Sequence, residues 1–255
     1  MLELPIFAKE IKEKLLYKKR YQLSQDRFIF QCHEKLLQNL FDINQGRCFI
    51  VGTGPSLKDT NLDLIKKEKV FGVNTLYRNK DFVKHCDYFA CSDGDVWKEH
   101  KENILETLSH QKTMLFLSSD AGRMYAKVNE PKYPFIYYLK TKSYINLLGY
   151  MPTNPTMYVS GGHSVIADIC LPMAWWMGFT EVYLVGCDYS NLGKRWDGLP
   201  TENPKAMGLQ KKERIFNALE ICKKAFEDDG RKIYNATVGG DLEVFERRTL
   251  EEVVQ

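Results

Sequence analysis

Arg47-Cys-Phe-Ile-Val-Gly-Thr-Gly-Pro-Ser-Leu57 carries a run of apolar residues without alternation into two glycines, a proline and a serine. An unalternating apolar run of this length is the pattern of a strand buried on both faces, as in a parallel sheet. Gly52 and Gly54 let the backbone turn sharply and approach another group without Cβ interference. The stretch therefore looks like a strand followed by a nucleotide-phosphate loop built from Gly52, Thr53, Gly54, Pro55 and Ser56. Neither common phosphate-loop pattern fits. A Walker loop needs Gly-Lys-Ser/Thr after four spacers, and the dinucleotide fingerprint needs a third glycine where Leu57 stands. The alternative is a tight turn after a core strand.

Outward from this stretch, further short apolar runs recur with helical sequence between them: Val70–Val73, Tyr88–Cys91, Met114–Leu117, Phe135–Leu139, Val182–Val185 and Lys232–Tyr234. The spacing predicts an α/β fold of Rossmann-like type, a mostly parallel sheet with helices on both faces. Ligands in open sheets of this kind sit beyond the carboxyl ends of the strands, where strand order switches. That rule selects Gly52–Ser56, Asn74-Thr75, Ser92-Asp93-Gly94-Asp95 and Gly186-Cys187-Asp188-Tyr189. Residues 7–41 read as two amphipathic helices, the first with Ile11, Leu15 and Leu16, the second with Phe28, Phe30, Leu36, Leu37 and Leu40. They form an N-terminal helical extension over residues 1–44 that packs beside the sheet or in an oligomer contact. The nucleotide-binding domain follows over 45–255. The aromatic region Pro131–Tyr158 is read as a lid or subdomain, or else as irregular packing.

At 255 residues and 44% apolar content the chain can fill a core. Its 36 Lys and Arg against 33 acids give +3, too even for a nucleic-acid footprint. Seven cysteines without a Cys-x-x-Cys pair suggest neither a disulfide framework nor a zinc site, and a reducing, cytoplasmic setting is expected. There is no secretory signal at Met1, and the apolar run from Val165 to Phe179 is broken by Asp168 and Pro172. The lysines of Lys9–Arg20 are interspersed with glutamates, which favours a solvated helix face; contact with an anionic membrane surface is the alternative.

A second constellation is Tyr158-Val-Ser-Gly-Gly-His-Ser-Val165, ahead of a long apolar helix. Ser160, Gly161 and Gly162 stand where free backbone N–H groups at a helix start hold an anion or ribose, the alternative being capping by Ser160 or Ser164. Pro172 predicts a kink in that helix, and Trp175-Trp176 read as core or interface. His163 falls in this loop and is a candidate general base or phosphate ligand. Asp93 and Asp95 are candidates for Mg²⁺ beside a diphosphate, or for a turn. Asp188 suits a ribose, metal or sugar contact, or a cap. Lys194 and Arg195, beside Trp196, place cations near the phosphate in a loop with Gly193 and Gly198. Tyr189 follows Asp188 at the same strand end, and Asn235 ends the last predicted strand in the stretch Tyr234–Gly240, which suits the rim of a base or sugar site, or a turn.

Phe49-Ile-Val-Gly-Thr-Gly-Pro-Ser-Leu57, Gly72-Val-Asn74, Ser160-Gly-Gly162, Gly178 to Asp188 and Tyr234 to Gly240 together resemble the 6-hydroxymethylpterin diphosphokinase-like superfamily, a domain found in bacterial surface-polysaccharide gene products. The similarity covers about residues 45–250. The same motifs also resemble the sialyltransferases of glycosyltransferase family 42 and related flagellin-modifying transferases. By that resemblance Gly52, Gly54, Pro55 and Ser56 would cradle a nucleotide phosphate, Asn74 would touch the nucleotide-sugar, and Ser160 and Gly161 would hold cytidine or phosphate. The catalytic part departs: Ser190 stands where the sialyltransferases have a tyrosine, and about Gln210 where they have the histidine base. His163, Asp93 and Asp188 remain as candidate bases. The implied function is transfer of a sugar, such as a nonulosonic acid, from a CMP-activated donor to a glycan or lipid-linked acceptor, with no cofactor required. The alternatives are Mg²⁺-dependent diphosphoryl transfer from ATP to 6-hydroxymethylpterin, with Asp93, Asp95 and Asp188 around the metal, and a non-catalytic nucleotide-binding protein. Peripheral membrane contact and homo-oligomerisation are compatible with all three.

Overall fold

The computed structural model describes residues 33–118, 133–162, 164–190, 195–197, 199 and 209–254. Eight strands form one sheet: β1 (Arg47–Val51), β2 (Val70–Val73), β3 (Tyr88–Cys91), β4 (Met114–Ser118), β5 (Ile136–Leu139), β6 (Glu181–Val185), β7 (Lys232–Asn235) and β8 (Glu246–Arg247). Their order is β5-β4-β3-β2-β1-β6-β7-β8, and every pairing is parallel. The expected runs all appear as strands. β8 was not foreseen, because its two residues are both exposed and carry no apolar signal.

Strand alternation divides the core in two. Cys48, Ile50, Phe71, Val73, Val182 and Leu184 point to one face, where they meet α4 (Leu171–Trp176) and α5 (Leu209–Asp228). Phe49, Val51, Val70, Phe89, Leu115, Leu117 and Val185 point to the other, against Trp97, Ile104 and Leu108 of α2 (Gly94–Ser109). Both faces are thus covered, which is why the strands read as unbroken apolar runs. Short elements fill the connections: three 3-10 segments (Pro55–Asp59, Leu62–Ile65, Asn74–Arg78), α1 (Lys80–Val83), α3 (Ile145–Leu148) and α6 (Leu250–Val253).

From β1 the chain steps outward through β2, β3, β4 and β5, then returns to lay β6 on the opposite side of β1 and continues to β7 and β8. The switch point therefore lies between β1 and β6, and the loops after these strands face the crevice where ligands collect in such sheets.

Several expectations need adjustment. Residues 33–38 are helical, with Leu37 and Leu40 buried beside α4, and the Trp176 indole Nε1 donates to the Leu37 carbonyl at 2.9 Å. Leu36, expected on the apolar face, is exposed. Ile11, Leu15, Leu16, Phe28, Phe30 and the whole Lys9–Arg20 segment lie outside the described residues. The Pro131–Tyr158 region contributes the edge strand β5, and Tyr133, Ile136, Tyr138, Leu139, Ile145 and Met151 are core residues. At Pro172 the helix does not stop: a π turn at Ile166–Cys170 runs directly into α4, and this wider turn lies immediately before the residue that lacks an N–H. Among the described residues the cysteines are free and buried, and no helix is long and apolar enough to cross a membrane.

The join between the N-terminal segment and α4 depends on Gly178, which has φ +93° and packs so closely on the 42–44 segment that a Cβ would collide with the Asn44 carbonyl and the Asp42 side chain. Gly178→Ala should cost about 3 kcal/mol from left-handed strain plus collision with backbone. Gly149→Ala is the control: it has φ +73° with open space around a Cβ, and about 1 kcal/mol is expected from conformation alone. Urea unfolding of both variants measures the difference; equal costs would remove the packing argument.

Candidate functional site

The β1 loop is tied to the β6 loop by its own backbone. Gly52 N–H donates to the Val185 carbonyl and Gly54 N–H to the Gly186 carbonyl, both at 2.8 Å, so strand pairing continues past the sheet end. Ser56 then turns onto Asp188: its N–H reaches Oδ1 at 3.1 Å and its hydroxyl reaches Oδ2 at 2.8 Å. Gly54 is glycine because the Asp188 carboxylate occupies the place a Cβ would take. The N–H groups of Gly52, Gly54 and Ser56, expected to cradle a phosphate, are therefore committed to β6 and its loop, and Pro55 has none to offer. This corrects the sequence reading. Two glycines at this spacing signal a close approach, and here the approaching group is the protein's own carboxylate. Burial raises the Asp188 pKa above the usual carboxylate range, and the Ser56 hydroxyl and N–H offset that only in part.

On the other side of β1, the chain leaves β2 through Asn74, a non-glycine residue at φ +49°. Such a backbone costs about 1–2 kcal/mol and persists only where surroundings enforce it. It opens the 3-10 segment Asn74–Arg78. Asn74 Oδ1 and Thr75 Oγ1 are buried there without a hydrogen-bond partner among the described residues, as is the indole Nε1 of Trp196. Buried orphans of this kind each cost roughly 1–3 kcal/mol. The Arg195-Trp196-Asp197 segment crosses to this side, and Trp196 N–H donates to the Thr53 carbonyl at 3.2 Å. Arg195 is buried, and its guanidinium forks onto Asp197, Nε to Oδ1 and Nη2 to Oδ2, each at 3.3 Å. Arg78 Nη1 reaches the same Oδ2 at 3.1 Å, and Leu199 N–H reaches Oδ1 at 3.1 Å. Burial works against ionisation of Asp197. The Leu199 N–H and the two arginines outweigh it and lower the pKa.

After β6, Asp188 is followed by Tyr189, again at φ +49°. The Tyr189 hydroxyl pairs with Ser164 Oγ at 3.1 Å, and its ring meets Phe216 edge-on. The glycine loop ahead of the π turn is organised by Asp168, which is fully buried: it accepts from Ser160 Oγ and from Ser164 N–H, both at 3.0 Å. Ser160 thus serves this internal carboxylate. Gly161 packs on Thr141 and Gly162 on the ring of Tyr144. His163 and Lys194 lie outside the described residues.

The remaining candidates have local partners. Asp93 is the N-cap of α2, Oδ1 accepting from Asp95 and Val96 N–H at 2.8 and 3.3 Å, and Asp95 is an exposed first-turn residue. The Ser92 carbonyl accepts from Ser118 Oγ. Asn235 is buried and staples its own loop, donating to the Leu242 carbonyl and accepting from Thr237 N–H. Among the described residues no group of three or more His, Cys, Asp or Glu side chains could hold a metal, so Asp93, Asp95 and Asp188 do not converge on one. Arg78, Asp197 and Asp168 were not singled out from the sequence, whereas Thr75 was, beside Asn74. Arg78 was within reach of sequence reasoning, since it lies one turn beyond Asn74 at the same strand end, whereas Asp168 looked like a mere break in an apolar run.

Residues 27–194 match the sequence model of the 6-hydroxymethylpterin diphosphokinase MptE-like family, well over half of the chain. The protein belongs to the MptE-like family. The matched segment takes in β1 to β6 and both loops at the switch point of this MptE-like fold. The family is associated with transferase activity of the diphosphokinase-like kind. No curated protein matches the chain.

The Asp188 clasp makes a pH prediction. A carboxyl whose folded pKa is raised binds protons more tightly folded than unfolded, so its contribution favours folding at low pH and is lost as pH rises from the unfolded value to the raised one. Relative to Asp188→Asn, which keeps an acceptor for Ser56 N–H, the native protein should lose stability as pH rises above about 4, the ordinary carboxylate pKa. Urea midpoints of both proteins across pH 4–8 test this; parallel curves would show that Asp188 titrates normally.

Proposed function

We propose that this MptE-like protein is a glycosyltransferase of surface-polysaccharide or glycan synthesis, taking a sugar from a CMP-activated donor bound beyond the carboxyl ends of β1, β2 and β6. The observation that carries the reading is the set of orphaned polar atoms at the β2 end. Among the described residues Asn74 Oδ1 lacks a donor and Trp196 Nε1 an acceptor, and the Thr75 hydroxyl can serve as either. A nucleoside supplies both kinds of group through its base edge and ribose hydroxyls. Beside them Arg78 and Arg195 provide the positive charge a departing nucleotide phosphate requires, a stabilisation of a few kcal/mol per well-placed donor. Asp188 keeps the β1 loop in register through Ser56, and its raised proton affinity suits the base that takes the acceptor hydroxyl's proton. The acceptor is a glycan or lipid-linked sugar.

Diphosphoryl transfer from ATP to 6-hydroxymethylpterin is the alternative suggested by the family description. A Mg²⁺ site made of Asp93, Asp95 and Asp188 does not fit it, because Asp93 caps α2 and Asp188 receives Ser56. No metal step is derived from these residues.

The test is thermal denaturation with CMP, AMP and ATP, each with and without Mg²⁺. CMP should raise the melting temperature without metal, and Asn74→Ala should weaken CMP binding about tenfold, the loss of one buried hydrogen bond. Stabilisation by ATP alone, and only with Mg²⁺, would replace this reading with the diphosphokinase.

A further inference from the structure

A cleft of about 470 Å³ opens at the β8 edge of the sheet, on the far side of Asp188 from Asn74. Its volume falls in the range of small-ligand sites, roughly 300–1,000 Å³. The walls come from residues 59–61 beyond β1, 235–239 at the end of β7 and 247–252 at the end of β8. The second wall belongs to the Tyr234–Gly240 stretch, which the sequence suggested as the rim of a base or sugar site. Each wall is fixed from within. The Thr60 hydroxyl donates to the Ser56 carbonyl at 2.8 Å, and Asn61 Oδ1 accepts from Asp63 N–H at 3.2 Å. Arg247 gathers the loop after β7, its Nη1 donating to the Thr237 and Gly239 carbonyls at 3.1 and 2.9 Å and its Nη2 to the Gly240 carbonyl at 3.2 Å. Thr249 and Glu252 close on each other in a capping box. Two of these walls are tied to the Asp188 clasp: Thr60 holds the Ser56 carbonyl, while Gly240 packs on the Asp188 backbone and Asp241 N–H donates to its carbonyl at 2.8 Å.

The lining selects the class of ligand. Asp59, Glu251 and Glu252 supply carboxylates, and the two arginines are paired with acids of their own, Arg247 with Glu243 and Arg248 with Glu246. An entering anion would meet three acids beside cations already neutralised. Among the described residues no group of acids, histidines and cysteines could hold a metal ion. Val238, half exposed, adds apolar surface with Ala236 and Leu250. A sugar ring matches this mixture, because its hydroxyls donate to carboxylates and accept from amides while its C–H groups cover an apolar wall. We propose that the cleft binds an uncharged saccharide, the acceptor of the glycosyl transfer proposed above; the role of acceptor rests on that reading. Asp59 and Glu251 accept from the sugar hydroxyls, the Asn61 amide donates, and Val238 supports the ring. Nucleotide and saccharide then lie on opposite sides of the Asp188 clasp, one beyond β2 and the other beyond β7 and β8. Binding makes and breaks no covalent bond.

The test is binding of the labelled full chain to an array of neutral and acidic oligosaccharides, followed by calorimetric titration of the strongest neutral binder. Neutral oligosaccharides should bind and acidic ones should not. Asp59→Ala should weaken binding about tenfold, the loss of one hydrogen bond to a charged group. Val238→Trp fills the cleft from an exposed position and should remove binding, with circular dichroism and the melting temperature confirming that both variants are folded. Absence of binding by every neutral oligosaccharide overturns the proposal. So does a preference for acidic ones, or binding that either variant leaves unchanged. Spermidine is the counter-probe: if it binds, Asp59→Ala weakens it and no saccharide binds, the cleft is a polyamine site and the proposal falls. The donor reading is judged separately, by thermal stabilisation with CMP. Saccharide binding without CMP stabilisation would keep the cleft and discard the cytidine donor, and CMP stabilisation without saccharide binding would do the reverse.

Discussion

The contact between Asp188 and Ser56 holds the switch point together. β1 and β6 are adjacent because the chain reverses its direction of growth across the sheet, and their loops would diverge once the ladder ended. The ladder instead continues through Gly52 and Gly54 N–H, and the buried carboxylate of Asp188 closes it by accepting both donors of Ser56. A carboxylate in that position is expensive to desolvate, and the two hydrogen bonds from Ser56 offset part of that cost. Everything downstream depends on this clasp. It starts the Pro55–Asp59 segment and keeps Gly54 close to β6. It also presents the Thr53 carbonyl to the Trp196 segment.

Much of the fold was legible because burial on both faces leaves a plain mark. Cys48 to Val51 and Val182 to Val185 have no polar face to show, and that absence of alternation identified strands later found in the middle of the sheet. β8 escaped because Glu246 and Arg247 form two rungs at an edge and bury nothing. The π turn escaped for a different reason. Pro172 announces a lost hydrogen bond but not how neighbouring residues absorb it, and here the preceding turn widens rather than bends.

The partners of the glycine loop were not legible in the sequence. Strand ends after β1, β2 and β6 were singled out because topology alone directs attention to them. The spacing of Gly52 and Gly54 could not say which group comes close. A phosphate and an internal carboxylate demand the same absence of Cβ and accept the same N–H donors, so the two produce one sequence pattern. Ser160 was ambiguous in the same way, its hydroxyl finding Asp168 eight residues on, inside the protein. Long-range partners decide such cases: Asp188 lies 132 residues from Ser56, and Asp197 lies 119 from Arg78.

The two non-glycine residues forced to positive φ at strand ends mark a division of labour across β1. Tyr189, after β6, is fully used: its hydroxyl holds Ser164, its ring meets Phe216, and burial raises the pKa of its phenol far above the ordinary value. Its strain stabilises the packing of the glycine loop against α5. Asn74, after β2, bears the same backbone cost, yet its side-chain oxygen is buried without a donor among the described residues. A fold that needed only a turn at this point could place glycine there and avoid both penalties. Strain that the protein's own contacts do not repay is the usual mark of a group arranged for something that arrives from outside. The two sides of β1 thus differ in one respect: the Tyr189 side chain finds its partners within the protein, and the buried Asn74 Oδ1 finds none among the described residues.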